Sequence, residues 1–263
     1  MTTRPMLGEA ARAAGYRLIV RDEVGSTMEE ARRALHQGEP GKLWIVARSQ
    51  KAGRGRHGRQ WTSPPGNLYA SLLLVNPCEP ALAPQLGFVA GLALHDAAVR
   101  VTGLAAPRLA LKWPNDLLID GAKCSGLLLE GESRAGQFAV VAGLGINIAS
   151  CAQGTPYPAS FLKAHAPQVT IEAALGALSD AWAARFATWQ VSGGFAAIRQ
   201  AWLERAAFLG QTITIRPPEG AVSGIFAGID ASGRLLLETP AGNRSFDAGD
   251  LFFGPPSNHP PEA

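Results

Sequence analysis

The chain has 263 residues, of which 47% are apolar, and a formal net charge of +3. That apolar content excludes a disordered chain and supports a sizeable core. So small a net charge excludes the broad basic face of a protein built to hold duplex DNA. The three cysteines, Cys78, Cys124 and Cys151, are odd in number and lack metal-type spacing, which reads as free thiols in a reducing cytoplasm. Residues Met1 to Arg12 contain no apolar core of signal-peptide length, and no run approaches the roughly 18 apolar residues of a membrane span. A soluble cytoplasmic protein without a membrane partner is expected.

Tyr16 to Val24 alternates as a strand and stops at Gly25. Ser26-Thr27-Met28-Glu29 has the form of a capping box, with Ser26 as N-cap and Glu29 reaching back, and opens a helix running to about Gln37. Capping alone explains Ser26 and Thr27. A helix N-terminus after a strand also presents free N–H groups and hydroxyls to a ligand. Lys42 to Arg48 is a short β-rich run that leads to Gln50.

Gly53-Arg54-Gly55-Arg56-His57-Gly58-Arg59-Gln60-Trp61 is the most charged and least bulky stretch of the chain. Glycines let a backbone reach positive φ and come close to a ligand. Guanidinium groups offer forked donors that match phosphate or carboxylate oxygens. A mobile loop that closes over an anion, a solvated basic turn, and an RGG-like contact with nucleic acid all fit this stretch taken alone.

Asn67 to Val75 is a strongly apolar strand, and a buried helix follows from about Ala83 to Val101. In Lys112-Trp113-Pro114-Asn115-Asp116, Pro114 holds Trp113 extended and breaks the strand, so that a turn displays Asn115 and Asp116. Gly121 ends the next strand, and Lys123 to Glu130 resumes as its hairpin partner. Gln137 to Ile148 alternates, with Gly143, Gly145 and Asn147 on one face; such glycines mark a close approach to the backbone. Gly143-Leu144-Gly145 is not a dinucleotide fingerprint, because the third glycine and the following helix are missing. After the loop Ser150 to Pro167, an amphipathic helix spans Ile171 to Trp189, and Phe195, Ile198 and Trp202 continue the pattern. Four short strands, Thr212–Ile215, Val222–Ile229, Arg234–Glu238 and Asn243–Asp247, read as a small β-barrel that docks on the larger domain. The expected domains are 1–208, 209–255 and a disordered tail, 256–263.

Ser26-Thr27, Gln50 with the glycine-arginine loop and Trp61, Lys112-Trp113-Pro114-Asn115-Asp116, and Lys123-Cys124-Ser125-Gly126-Leu127-Leu128-Leu129-Glu130 occur in this order. Together they resemble the biotin protein ligases. The resemblance is strong over roughly residues 16 to 150 and looser in the barrel. It implies an α/β fold: a mixed sheet flanked by helices, akin to class II synthetases, followed by a small SH3-like barrel. It also implies a two-step reaction, in which ATP and biotin give biotinyl-5′-AMP and a carrier lysine then displaces AMP. Ser26, Thr27, Met28, Gln50 and Gly126 would hold biotin. Arg54, Gly55 and Arg56 would cover its carboxylate and the adenylate phosphate, with Lys123 the central cation. Arg54, Arg56 and Lys123 would thus be the catalytic set. Arg59, Trp61, Asn115 and Asn147 would border the nucleotide together with Arg56 and Lys123. Mg²⁺ is expected with ATP, with no ligand nominated. The implied partner is the biotin carboxyl carrier protein of acetyl-CoA carboxylase or of another biotin-dependent carboxylase, for an enzyme that is a monomer or homodimer and binds no nucleic acid.

The residues taken cold agree with that chemistry. A carboxylate attacking a triphosphate brings like charges together, and two guanidinium groups and an ammonium offset the repulsion. Two departures stand out. Met28 takes the place where family members usually carry Asn. The residues ahead of Tyr16 are too few for the operator-binding winged helix that some members carry. A lipoate ligase or octanoyl transferase shares the architecture, and a nucleic-acid module built on the basic loop is the reading from another class.

Overall fold

The computed structural model describes residues 5–134, 136–217, 220–247 and 251–253. The tail expected at 256–263 lies outside them. The first strand, β1 (Arg17–Val24), runs parallel to β2 (Leu43–Gln50). The other strands of the same sheet, β3 (Leu68–Val75), β4 (Leu109–Lys112), β5 (Asp116–Ile119), β6 (Ala122–Arg134) and β7 (Gln137–Ile146), pair antiparallel with their neighbours. The order is β1-β2-β3-β7-β6-β5-β4, a mixed seven-stranded sheet.

Both faces of this sheet are covered, and the side-chain period of two sorts the residues between them. Trp44 and Val46 of β2 and Val140, Ala142 and Leu144 of β7 face the main core. Leu43 and Ile45 of β2, Leu73 of β3 and Ala139 and Val141 of β7 face the other way, onto Met28 and Ala31 of α2 (Thr27–His36). The main core is closed by α3 (Leu86–Thr102), α4 (Ile171–Gln190) and α5 (Gly194–Leu203). Leu86, Val89, Leu92 and Ala93 of α3 are fully buried. Burial of side chains of Val or Leu size contributes about 1.5–3 kcal/mol each. A short α1 (Glu9–Ala13), too brief to show periodicity, is tied to α4 by the N–H of Ala11 donating to Asp180 Oδ1 at 3.1 Å.

Helix α3 begins three residues later than the apolar spacing indicates. Pro84 disfavours an α conformation at Ala83, so Pro80–Gln85 forms a 3₁₀ stretch and the α-helix starts behind it. By length and composition the span Pro80–Thr102 could cross a membrane, but it is mostly buried inside the fold as the central core helix. The strand break at Pro114 is a turn between β4 and β5, with a cis Trp113–Pro114 bond.

The second sheet contains β8 (Thr212–Ile215), β9 (Val222–Ile229), β10 (Leu235–Thr239), β11 (Gly242–Phe246) and β12 (Leu251–Phe253), in the order β11-β10-β9-β8-β12. A register shift between Leu236 and Leu237 bends the β9–β10 pair. This is the small SH3-like unit expected, with one strand more than the turn signals marked, because three residues are too few to register as a strand. It docks as expected: Ile213, Ile215 and Phe226 belong to the main core, and Arg199 of α5 donates to the Ile229 carbonyl at 2.9 Å.

Candidate active site

The site lies on the α2 face of the large sheet, where the strands lose their side chains. Gly126 of β6 is paired with Gly145 of β7, and Leu128 with Gly143. The Trp61 ring rests on this bare patch: a Cβ at Gly145 would lie 2.7 Å from the ring. Met28 does the same one pair along, since a Cβ at Gly143 would meet its sulfur at 2.6 Å. The glycines of β7 therefore admit two large side chains, which form an apolar floor.

One end of the floor is polar. Ser26 caps α2 by accepting from the Met28 N–H at 3.2 Å. Only half of the capping box forms, because Glu29 turns to Arg54 instead, 3.4 Å from its guanidinium. Next to the cap runs a chain of hydrogen bonds with every direction fixed. The Ser71 hydroxyl donates to Thr27 Oγ1 at 2.8 Å. The Thr27 hydroxyl and N–H donate to Gln50 Oε1 at 3.1 and 2.8 Å. Gln50 Nε2 donates to Ser63 Oγ at 3.0 Å, and the Ser63 hydroxyl donates to the Trp61 carbonyl at 2.9 Å. Thr27 and Ser26 are buried, so these dipoles are held still and offer a ligand a preset pattern.

The glycine-arginine stretch is a folded hairpin. The Trp61 N–H donates to the Gly53 carbonyl at 2.9 Å and the Gly55 N–H to the Arg59 carbonyl at 2.7 Å, with a bridge between Arg54 and Gln60. Its tip, Arg56–Gly58, is a single 3₁₀ turn in which His57 and Gly58 carry positive φ, 56° and 73°. Gly53 is needed for a different reason: a Cβ there would stand 2.4 Å from the Trp61 carbonyl oxygen. Glycine thus serves close backbone packing at Gly53 and positive φ at Gly58. The hairpin brings Arg54, Gly55, Arg56 and Arg59 to the cavity wall.

Opposite stands Lys123. Its ammonium lies 2.7 Å from Asp116 Oδ1, and both side chains are largely buried. Asn115 Nδ2 donates to the Leu127 carbonyl at 2.8 Å, which locks the turn just before Asp116 to β6. Beside Lys123, burial pushes the Cys124 thiol pKa well up, so that sulfur is an inert core group. Burial also pushes the Tyr69 hydroxyl up to about 12, opposed by a hydrogen bond from Asn67; Tyr69 stays neutral and donates to the Pro64 carbonyl at 2.7 Å.

The polar end, the floor, the hairpin and Lys123 border one cavity of about 810 Å³. It gathers Ser26, Thr27, Met28, Gln50, Arg54, Gly55, Arg56, Arg59, Trp61, Asn115, Lys123 and Gly126. Asn147 stands apart from the lining. It is buried, and its Nδ2 donates to the Ser160 carbonyl at 3.1 Å, holding the loop behind β7. The lining also includes residues that sequence reasoning passed over: Lys112, Tyr157 of the loop after β7, and Thr214 and Arg216 of the barrel. Lys112 belongs to a stretch already singled out. The others carry no local signal, since only the tertiary fold brings the loop and the barrel to this face. Among the described residues no group of three His, Cys, Asp or Glu side chains is placed to hold a metal ion.

A cavity with fixed dipoles at one end, an apolar floor and a rim of cations defines an enzyme that handles an anionic small molecule. Residues 23–147 match the Biotin/lipoate A/B protein ligase family, and residues 208–254 match the Biotin protein ligase C terminal domain. The chain is 45% identical over 240 residues to a biotin–[acetyl-CoA-carboxylase] ligase of Paracoccus denitrificans, covering 87% of this chain and 97% of that one. It is 29% identical to the bifunctional ligase/repressor BirA of Bacillus subtilis, covering 91% of this chain and 75% of that protein. Among solved structures, the biotin protein ligase of Aquifex aeolicus in complex with biotin and ATP superposes with a TM-score of 0.77 at 27% identity, covering 90% of this chain and 97% of that one. The chain belongs to the biotin/lipoate A/B protein ligase family.

Proposed function

We infer that the chain is an ATP-dependent biotin protein ligase. The carboxylate of biotin attacks the α-phosphorus of ATP, the bond to pyrophosphate breaks, and biotinyl-5′-AMP remains. The amine of a carrier lysine then attacks the acyl carbon, and AMP leaves with the bonding pair. The observation that carries this reading is the arrangement within one cavity: a preset polar end, an apolar floor, and Arg54, Arg56 and Lys123 around the space beyond it.

In this reading Ser26, Thr27 and Gln50 hold the ureido head, while Met28 and Gly126 border the ring and chain. Arg54, Gly55 and Arg56 cover the carboxylate, and Lys123 stands where carboxylate and α-phosphate meet. Arg59, Trp61 and Asn115 border the nucleotide. Asn147 acts at one remove, through the loop it holds at Ser160. Cations fixed beforehand stabilise the charge that builds in the transition state. The hairpin excludes water from the mixed anhydride. Mg²⁺ would enter with ATP and offset the charge of its phosphates; among the described residues no cluster of His, Cys, Asp or Glu is placed to hold it.

The partner is the carrier domain of acetyl-CoA carboxylase or another biotin-dependent carboxylase, in the cytoplasm, and the working unit is a monomer or homodimer. A catalytic domain to residue 208 and a barrel from 209 to 255 are supported by the two separate sheets. The test is to incubate the protein with a carrier domain, ATP and biotin and to weigh the carrier by mass spectrometry. One added biotinyl group that requires both ATP and biotin is expected. Modification with lipoate in place of biotin, and none with biotin, would overturn the assignment.

A further inference from the structure

Lys123 stands where three segments far apart in sequence meet. Its stem crosses the bare sheet, with a Cβ at Gly126 only 3.3 Å from its Cε. Asp116 holds the ammonium from the first position of β5. Two aromatic rings also lie within cation–π reach of Nζ: Trp61 of the hairpin, with its centroid at 5.5 Å, and Tyr157 of the loop behind β7, at 5.4 Å.

The backbone holds Tyr157 there. The Lys123 N–H donates to the Pro158 carbonyl at 2.8 Å, and the Ser160 N–H donates to the Lys123 carbonyl at 2.9 Å. These two bonds form a parallel bridge between Lys123 and Ala159, so the segment after Tyr157 is strapped to the residue whose ammonium its ring approaches. Asn147 ties the far end through Ser160, and the Thr155 hydroxyl donates to the Tyr157 carbonyl at 2.6 Å. Tyr157 is 39% exposed, so burial of an apolar side chain does not account for its placement.

We propose that Tyr157 is a positioning residue for Lys123, its ring and that of Trp61 holding the ammonium at the point where carboxylate and phosphate react. This rests on the reading of Lys123 as the central cation. The physical reason is that a lysine ammonium sits on a flexible four-carbon stem and must be both held and left charged. Asp116 holds it by cancelling its charge, and an anionic substrate competes with that contact. An aromatic face carries no net charge, so it restrains the ammonium without repelling the substrate. When ATP and biotin draw the ammonium off Asp116, the two rings still limit where it can go.

The experiment compares Tyr157→Leu, which keeps an apolar side chain but removes the ring face, with Tyr157→Phe, which keeps the face and drops the hydroxyl. Biotin-dependent ATP–pyrophosphate exchange is measured, and kcat and the KM values for ATP and biotin are separated. Tyr157→Leu is expected to lower kcat about threefold to thirtyfold, or about 0.7–2 kcal/mol, with KM for ATP changed by less than about twofold. Tyr157→Phe is expected to keep kcat within about twofold of the parent. Thermal melts of both should match the parent; if Tyr157→Leu melts early, Tyr157→Met makes the same comparison.

Wild-type kcat in Tyr157→Leu overturns the proposal. So does a loss confined to KM for ATP, which would assign the ring to the nucleotide, and so does equal loss in Tyr157→Phe, which would assign the effect to the hydroxyl. Lys123→Ala, run alongside, separates the two levels. If it exchanges normally, the reading of Lys123 fails. If it is inactive while Tyr157→Leu is normal, only the clamp fails.

Discussion

Asp116 Oδ1 lies 2.7 Å from Lys123 Nζ, so the cation assigned to the reaction is already paired before any substrate arrives. Removing Lys123 therefore does two things. It takes away a charge contact in the transition state, and it leaves a largely buried carboxylate facing two anions. Lys123→Ala is expected to lower biotin-dependent pyrophosphate exchange by about 10²–10³ or more while the protein stays folded. Adding Asp116→Asn to that variant should restore part of the lost affinity for biotin, measured by calorimetry. Wild-type exchange by a folded Lys123→Ala would contradict the assignment.

Arg56 opens the turn at the hairpin tip and lines the cavity. Once the adenylate exists its phosphate remains charged, and a paired guanidinium should hold the hairpin over it. Such charge-assisted contacts contribute about 1.5–3 kcal/mol, which corresponds to roughly tenfold to hundredfold slower escape. Arg56→Gly is expected to make some biotinyl-adenylate and to leak it. Streptavidin blots should then show serum albumin biotinylated in the presence of this variant. Labelling confined to the proper carrier, with normal retention of the adenylate, would show that the hairpin is not a lid.

Gly145→Ala tests the floor. The added Cβ would lie 2.7 Å from the Trp61 ring, and Trp61 belongs to the hairpin. Overpacking of this kind costs about 1–3 kcal/mol. The variant should melt several degrees lower or raise KM for ATP as the ring is pushed outward. A protein unchanged in both respects would show that Trp61 has room to move, and that the glycine is not what admits it.

Asp96 on α3 ties the helices together below the site. Burial pushes its carboxyl pKa up, but a hydrogen bond from His95, the guanidinium of Arg185 at 2.7 Å and the charge of Arg205 outweigh this and hold it below the usual value. A depressed folded-state pKa stabilises the fold above the unfolded value, about 3.9, and that stability is lost as pH falls below it towards the folded value. Asp96→Asn should therefore cost about 1–2 kcal/mol at pH 7 in urea melts. It should also lose less stability than the parent between about pH 5 and pH 3. Equal acid sensitivity in parent and variant would contradict this.

The strands and helices of the large domain were legible because both faces of the sheet are buried, which leaves long apolar or alternating runs. The glycine-arginine stretch was legible as a ligand-facing loop because charge and glycine in such density are rare, but its hairpin pairing was not. Lys123 taken alone reads as a solvated strand start, and the resemblance of its stretch to the biotin protein ligases is what marked it. Other features were set by partners distant in sequence. Glu29 has the right spacing to close the capping box, yet Arg54 draws it away, and no local pattern shows that competition. Asn147 follows the glycines of β7, and its Nδ2 bond to the Ser160 carbonyl joins it to a loop that no local pattern places there. Tyr157 sits in a stretch without periodicity, and its place follows from the bridge between Lys123 and Ala159. The room for Met28 becomes visible only beside Gly143, where a Cβ would meet its sulfur at 2.6 Å.

The most direct measurement of the central claim is ATP–pyrophosphate exchange by the purified protein, with and without biotin. Carboxylate activation inside this cavity requires label to pass from pyrophosphate into ATP when biotin is present and not when it is absent or replaced by lipoate. Exchange that ignores biotin, or no exchange by a folded protein that binds both substrates, would contradict it.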